Sequence, residues 1–173
     1  KHDTSPMFGI STFCLHSEPL TAALDRISAV TDHIEVMDEG LHYLENADTL
    51  QTYPVHYSIH APSRGTNLAS LLEPIRRASV EVMGQCFAVA AEVDAAVVLH
   101  PGYFAWEEER TKAEHQLTRS LLDLEVLAKE YPVERPEVIL NVFPRSMSRK
   151  NSGSRDPLSL YWFSQTVAPG RGA

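Results

Sequence analysis

A parallel β-sheet covered by helices is the fold class the sequence predicts, and three observations predict it. The stretch Ala95–Leu99 is a short apolar run without alternation, which is how a strand buried on both faces reads. Strand-like and helix-like segments alternate strictly, with strand starts roughly 20 to 40 residues apart, and right-handed crossovers between such strands make a parallel sheet. Finally, two strands end alike. Val55–Ile59 runs into His60-Ala61-Pro62, and Ala95–Leu99 runs into His100-Pro101-Gly102. Proline and glycine halt both strand and helix, so both histidines are expected at the C-terminal end of the sheet, where α/β folds place their chemistry.

The elements follow in order. Met7–Phe13 is predicted as the first strand, with the small residues Gly9, Ser11 and Thr12 leaving space near a site. Ser17 fits an N-cap and Pro19 a first helical turn. Leu20, Leu24, Ile27 and Val30 share one face of a helix ending near Thr31, an apolar stripe at helical spacing. His33–Asp38 is the second strand; Ile34 and Val36 point one way and Glu35 the other, as a period of two requires. A short helix is expected near Asp48–Tyr53. The third strand, Val55–His60, puts His56, Ser58 and His60 on one face. A polar, turn-forming loop, 61–70, leads to a long helix over Leu71–Glu92 on the stripe Leu72, Ile75, Val82, Cys86, Val89 and Val93. After the fourth strand come the aromatic loop Tyr103–Trp106 and a helix from Glu107 to Tyr131, whose acidic start suits the helix dipole. Its stripe is Ala113, Leu117, Leu121, Leu124 and Ala128, and Val138–Val142 is a fifth, short strand.

The 173 residues suit one domain with a real core. Residues 1–142 carry a net charge of −12 and residues 143–173 a net charge of +4. The acidic balance gives no broad footprint for nucleic acid. The Ser-, Arg- and Pro-rich tail reads as a separate, atypical segment. This divides the chain into a domain over 7–142, the tail over 143–173, and a polar leader over 1–6 that looks appended before a natural start at Met7. With no apolar span or signal segment in view and two widely separated cysteines, Cys14 and Cys86, a cytoplasmic protein with reduced thiols is expected.

His60 and His100 are the leading candidates. On neighbouring strands about 4.8 Å apart both imidazoles overhang one rim, where two can share a zinc, manganese or iron ion, although a catalytic zinc usually takes three protein ligands. Each can equally satisfy loop carbonyls at a strand end. Glu35 is a candidate acid, base or ligand if it faces a barrel interior. Arg64, with Gly65 and Asn67, is a candidate phosphate contact, and Tyr103 and Trp106 are candidate walls of a sugar pocket. Asp38, Glu39 and His42 read as a solvated loop, and His56 as a hydrogen-bonded core residue. Five βα units are fewer than the eight, and the roughly 250 residues, of a full barrel, so the sequence is either a smaller open sheet or part of a barrel.

The segments Phe8–Phe13, Ile34–Val36, Ser58–Pro62 and Val97–Gly102, in that order, resemble the xylose-isomerase-like TIM barrels, a superfamily that includes sugar-phosphate isomerases and epimerases and the apurinic endonucleases. The resemblance covers about Met7 to Tyr131. It implies a partial (β/α)8 barrel whose rim binds a divalent metal (Zn, Mn or Mg). The histidines matching His60 and His100 are zinc ligands in the nuclease branch and line the substrate site in the isomerase branch. It also implies a Glu-Asn pair on the fifth strand with the Glu as metal ligand; here Asn141 matches the Asn, but Leu140 stands in the place of the Glu. The Asp, His and Glu ligands of later strands have no counterpart in the tail, so a truncation or frameshift after about residue 140 and a weak or absent metal are expected. The resulting expectation is a sugar or sugar-phosphate isomerase or epimerase, incomplete and weakly active or inactive. An abasic-DNA hydrolase and a non-catalytic binding domain remain alternatives. The acidic balance makes nucleic acid an unfavoured partner, no membrane is expected, and the two open sheet edges of a five-unit fragment predict a homo-oligomer.

Overall fold

Five strands, β1 (Ile10–Ser11), β2 (His33–Met37), β3 (His56–His60), β4 (Ala96–Leu99) and β5 (Val138–Leu140), form one sheet in chain order, and every neighbouring pair is parallel. The computed structural model describes residues 8–130 and, by backbone alone, 138–140. The start at Met7, Asn141 and the basic tail lie outside the described residues. The connections carry helices α1 (Leu20–Ser28), α2 (Asp48–Gln51), α3 (Glu73–Glu92) and α4 (Arg110–Ala128). A sheet whose spatial order follows the chain, without the reversal that marks doubly wound folds, is wound as a barrel is. The partial TIM barrel is the architecture found.

Register divides the sheet into two faces. Ile34 pairs with Tyr57, and one pleat above them Val36, Ile59 and Val97 lie in successive register, with Leu99 a further pleat along β4; all are buried in the core with Leu24, Leu50, Met83, Phe87 and Leu124. The opposite face carries Ser11, Glu35 and Ser58 in register, then Met37, His60 and Val98. Burying one face against the helices leaves the other, which a closed barrel turns inward, to carry polar groups.

Several elements depart from their sequence readings. The first strand is shorter than Met7–Phe13, because the Ser11 side chain accepts from the Phe13 N–H at 3.3 Å and turns the chain into a 3-10 turn over Thr12–Leu15. Ser17 caps nothing; Pro19 is the residue before α1. Val30 lies beyond that helix and is exposed. The stripe read for α3 holds at Cys86 and Val89, which are buried, and fails at its start. Leu72 precedes the helix and Ile75 faces solvent, whereas Arg76, Ser79, Val80, Met83, Cys86 and Phe87 are buried. Two buried polar residues in the first turns concealed the true face. The acidic start Glu107–Glu109 is 3-10 rather than α-helical. His56 is exposed and meets the His33 ring at 4.9 Å between centroids in a tilted arrangement, so it is no core residue. Both cysteines are free, Cys14 exposed and Cys86 buried. Among the described residues no helix is long and apolar enough to cross a membrane.

Candidate functional site

His60 ends β3 and His100 follows β4, and the two rings meet over the C-terminal rim of the sheet. Their Nε2 atoms are 2.8 Å apart and their centroids 4.7 Å. His60 Nδ1 lies 3.1 Å from the Ala61 carbonyl oxygen, which can only accept, so Nδ1 carries the proton. In the neutral pair His60 Nε2 is then the acceptor and His100 Nε2–H the donor. The strand-end histidines read from the sequence are thus brought together. Burial lowers the His100 pKa, and the neighbouring His60 lowers it further, while Glu39 and Glu35 act in the opposite sense.

The other candidates are spread along the same rim. Glu35 is half-buried on the barrel-side face, in register with Ser58. Arg64 is mostly exposed, its Nε 3.5 Å from a Glu39 carboxylate oxygen. Tyr103 and Trp106 are exposed after β4. Glu39 was missed by the sequence reading. Its Oε1 accepts from the N–H groups of Ser63 and of Arg64, the latter at 2.6 Å, and its Oε2 is buried without a hydrogen-bond partner among the described residues. Burial opposes its ionisation, but the Arg64 and Ser63 donors and the Arg64 charge outweigh burial and hold its carboxyl below the usual range. The available signal was its place immediately beyond a strand end.

The loop behind β2 is not solvated. Asp38 and His42 are both buried. His42 Nδ1 contacts the Thr12 hydroxyl at 3.1 Å and Nε2 the Glu18 carbonyl at 2.9 Å, which joins the loops after β1 and β2. Asp38 accepts from the Leu44 N–H at 2.7 Å. Burial raises its pKa to about 6, against the opposing bonds from Leu44 and Cys86. A carboxyl whose folded pKa exceeds its unfolded value binds more protons when folded, so its contribution to stability is full below about pH 4 and is lost as the pH rises through about 6. Asp38→Asn is expected to remove this dependence and to gain on the order of 1–3 kcal/mol at pH 8 relative to pH 4, compared with the unsubstituted chain. Urea melts of both proteins across that range check it.

Two imidazole nitrogens on one tetrahedral zinc stand about 3.3 Å apart, close to the spacing of this pair. Among the described residues, however, no group of three or more His, Cys, Asp or Glu side chains could hold a metal ion. The donor set in view is therefore short of a resident metal site. Position 140 pairs in register with Leu99, and position 139 with Val98.

No family model matches the chain. It is 32% identical over 125 residues to the uncharacterized protein MJ1614 of Methanocaldococcus jannaschii, covering 64% of this chain and 50% of that protein. It is 30% identical over 137 residues to the uncharacterized protein MJ1311 of the same organism, covering 73% and 47%. The chain thus spans about half the length of the curated relatives it matches. Among solved structures it is similar to a D-tagatose 3-epimerase-like protein, with a TM-score of 0.69 and 27% identity over 82% of this chain and 54% of that one. A D-psicose 3-epimerase determined in the presence of D-fructose shares the fold at TM-score 0.59 and 13% identity, over 76% and 50%. The E. coli 3-keto-D-glucoside 4-epimerase shares it at 0.56 and 14%, over 71% and 51%. With its sequential parallel sheet and its paired rim histidines, the chain belongs by fold to the xylose-isomerase-like TIM-barrel superfamily, as a partial barrel.

Proposed function

We propose that this chain carries the reacting rim of a sugar isomerase or epimerase. One observation supports the reading above the others: an acceptor and a donor nitrogen face each other at 2.8 Å on the rim of an epimerase-like fold. A ketose whose oxygen and adjacent C–H displace this hydrogen bond would be served by both rings. His60 Nε2 takes the proton from the carbon beside the carbonyl, the C–H electron pair moves into an enediolate, and His100 Nε2–H supports the developing charge on oxygen. Inversion needs a second acid on the opposite face, a role for which Glu35 is the candidate: protonated Glu35 gives its proton to that face to form the epimer, leaving Glu35 ionised and His60 protonated until solvent resets both. The lowered pKa of His100 keeps it a neutral donor at neutral pH. Glu35 is a further candidate for the proton, Tyr103 and Trp106 for stacking on the sugar, and Arg64 for a phosphate of a sugar phosphate. A divalent ion, if the protein uses one, would take His60 and His100 as two ligands and supply polarisation of the carbonyl; no step above depends on it.

The test is solvent exchange. In D2O with a panel of ketopentoses, ketohexoses and their phosphates, deuterium is expected at the carbon beside the carbonyl. The exchange rate should fall at least about 100-fold in His60→Ala and in His100→Ala, within the range for loss of one acid–base group. Absence of exchange with every member by folded protein, with and without added Zn, Mn or Mg, would sink the reading.

The open edge supports a second part of the proposal, a two-fold homodimer. Among the described residues β1 pairs only with β2, and Phe8 and Val30 beside it are 74% and 76% exposed. An unpaired edge flanked by apolar side chains favours association. Light scattering over a dilution series is expected to give twice the chain mass at micromolar concentration, and a compact monomer would overturn it.

A further inference from the structure

The loop 67–70 is buried at every residue although it belongs to no helix or strand, so its backbone polar groups must all find partners inside the protein. Asn67 organises them. Its N–H donates to the Ser79 hydroxyl at 2.8 Å, which in turn donates to the Ile75 carbonyl. Its side-chain Oδ1 accepts from Ala69 N–H at 3.0 Å and from Tyr103 N–H at 3.1 Å, and its Nδ2 donates to the Tyr103 carbonyl at 2.9 Å. The amide thus reads both backbone groups of one residue, as a neighbouring strand would. It does so seven residues beyond His60 and three beyond His100, where the sheet ladder has already ended with Ala61 N–H on the Val98 carbonyl. Gly102 approaches so closely that a Cβ there would stand 2.1 Å from Asn67 Oδ1.

We propose that Asn67 is the positioning residue of the rim, its side-chain amide locking the loop after His100 to the loop after His60 and so holding the two imidazoles in their Nε2–Nε2 contact. This deepens the reading of that pair as the reacting groups and rests on it for its functional meaning. The readout below needs no turnover, so the two fail separately.

The contact has a spectroscopic signature. Free neutral imidazole favours the Nε2–H tautomer, whereas here the Ala61 carbonyl and the facing His100 hold His60 as Nδ1–H. Long-range 1H–15N correlations of the histidine rings at pH 8 report the tautomer directly. In the unsubstituted protein His60 is expected to be predominantly Nδ1–H. In Asn67→Ala it is expected to revert to a majority of Nε2–H. Ser79→Ala, which loosens the same loop without touching the amide, is expected to lower Tm and keep the Nδ1–H form. Asn67→Asp keeps the acceptor for Ala69 and Tyr103 and replaces the donor to the Tyr103 carbonyl with a carboxylate oxygen that repels it. It serves if Asn67→Ala does not fold, and its His60 is also expected to revert. Retention of the Nδ1–H form in the folded Asn67 variants would overturn the proposal. So would its loss in Ser79→Ala to the same extent, because the effect would then be one of loop stability alone.

Discussion

Gly102→Ala is expected to be the most damaging single methyl group in the chain. Gly102 has φ +96°, and an added Cβ would meet Asn67 Oδ1 at 2.1 Å and both Asn67 Cγ and the Leu68 nitrogen at 3.0 Å. Conformational strain of about 1–3 kcal/mol and overpacking of about 1–3 kcal/mol act together, so a loss of about 3 kcal/mol, or roughly 10 °C in Tm for a domain of this size, is expected. Gly40 supplies the control. It also has a positive φ, +61°, but nothing lies within 4 Å of an added Cβ, so Gly40→Ala should show the strain alone. In Asn67→Ala the side-chain part of the clash disappears while Leu68 remains. The double variant with Gly102→Ala should therefore lose less than the two single losses combined. Thermal melts of the four variants decide it. Equal losses at Gly40 and Gly102 would show that the rim loops yield, and that the close approach is not a constraint.

Much of the rim was legible because it depends on local chemistry. His60-Ala61-Pro62 and His100-Pro101-Gly102 announce strand ends by what proline and glycine forbid, and both rings lie where that reading puts them. The period of two on β2 and β3 likewise separated Glu35, Ser58 and His60 from the buried Ile34, Val36, Tyr57 and Ile59. Polar residues whose meaning comes from distant partners were illegible. His42 looks like a surface histidine until Thr12, 30 positions away, closes on it. Asn67 looks like a turn residue until Tyr103, 36 positions away, pairs with it. Glu39 acquires its partners only when the loop after β3 folds over it. The start of α3 departs from its reading for the same reason: its buried face there is set by Arg76, which no apolar periodicity reveals, and the burial of that charge requires groups from α4.

Arg76 carries the other large expectation. Its side chain is 3% exposed and every nitrogen is used. Nε and Nη2 donate to the two Glu73 oxygens at 2.9 Å each, and Nη1 donates to Asp123 at 2.7 Å and to the Ser120 hydroxyl at 3.1 Å. Ser120, fully buried, passes its own proton to the Leu68 carbonyl at 2.7 Å. The guanidinium therefore joins α3, α4 and the loop that holds Asn67. Arg76→Ala removes four hydrogen bonds, leaves the buried Ser120 hydroxyl short of a partner and opens a cavity, so a loss of about 3–5 kcal/mol is expected. Arg76→Met fills the space without a charge, and Glu73 and Asp123 at 39% and 50% exposure can turn to water. Met should therefore recover half or more of the Ala loss, since apolar replacement of a buried ion pair is often neutral. Denaturant melts of both variants measure this. If Arg76→Met is as damaging as Arg76→Ala, the charge itself, through Ser120 and Leu68, is what orders the rim loop. The His60 tautomer should then be lost in Arg76→Met as well.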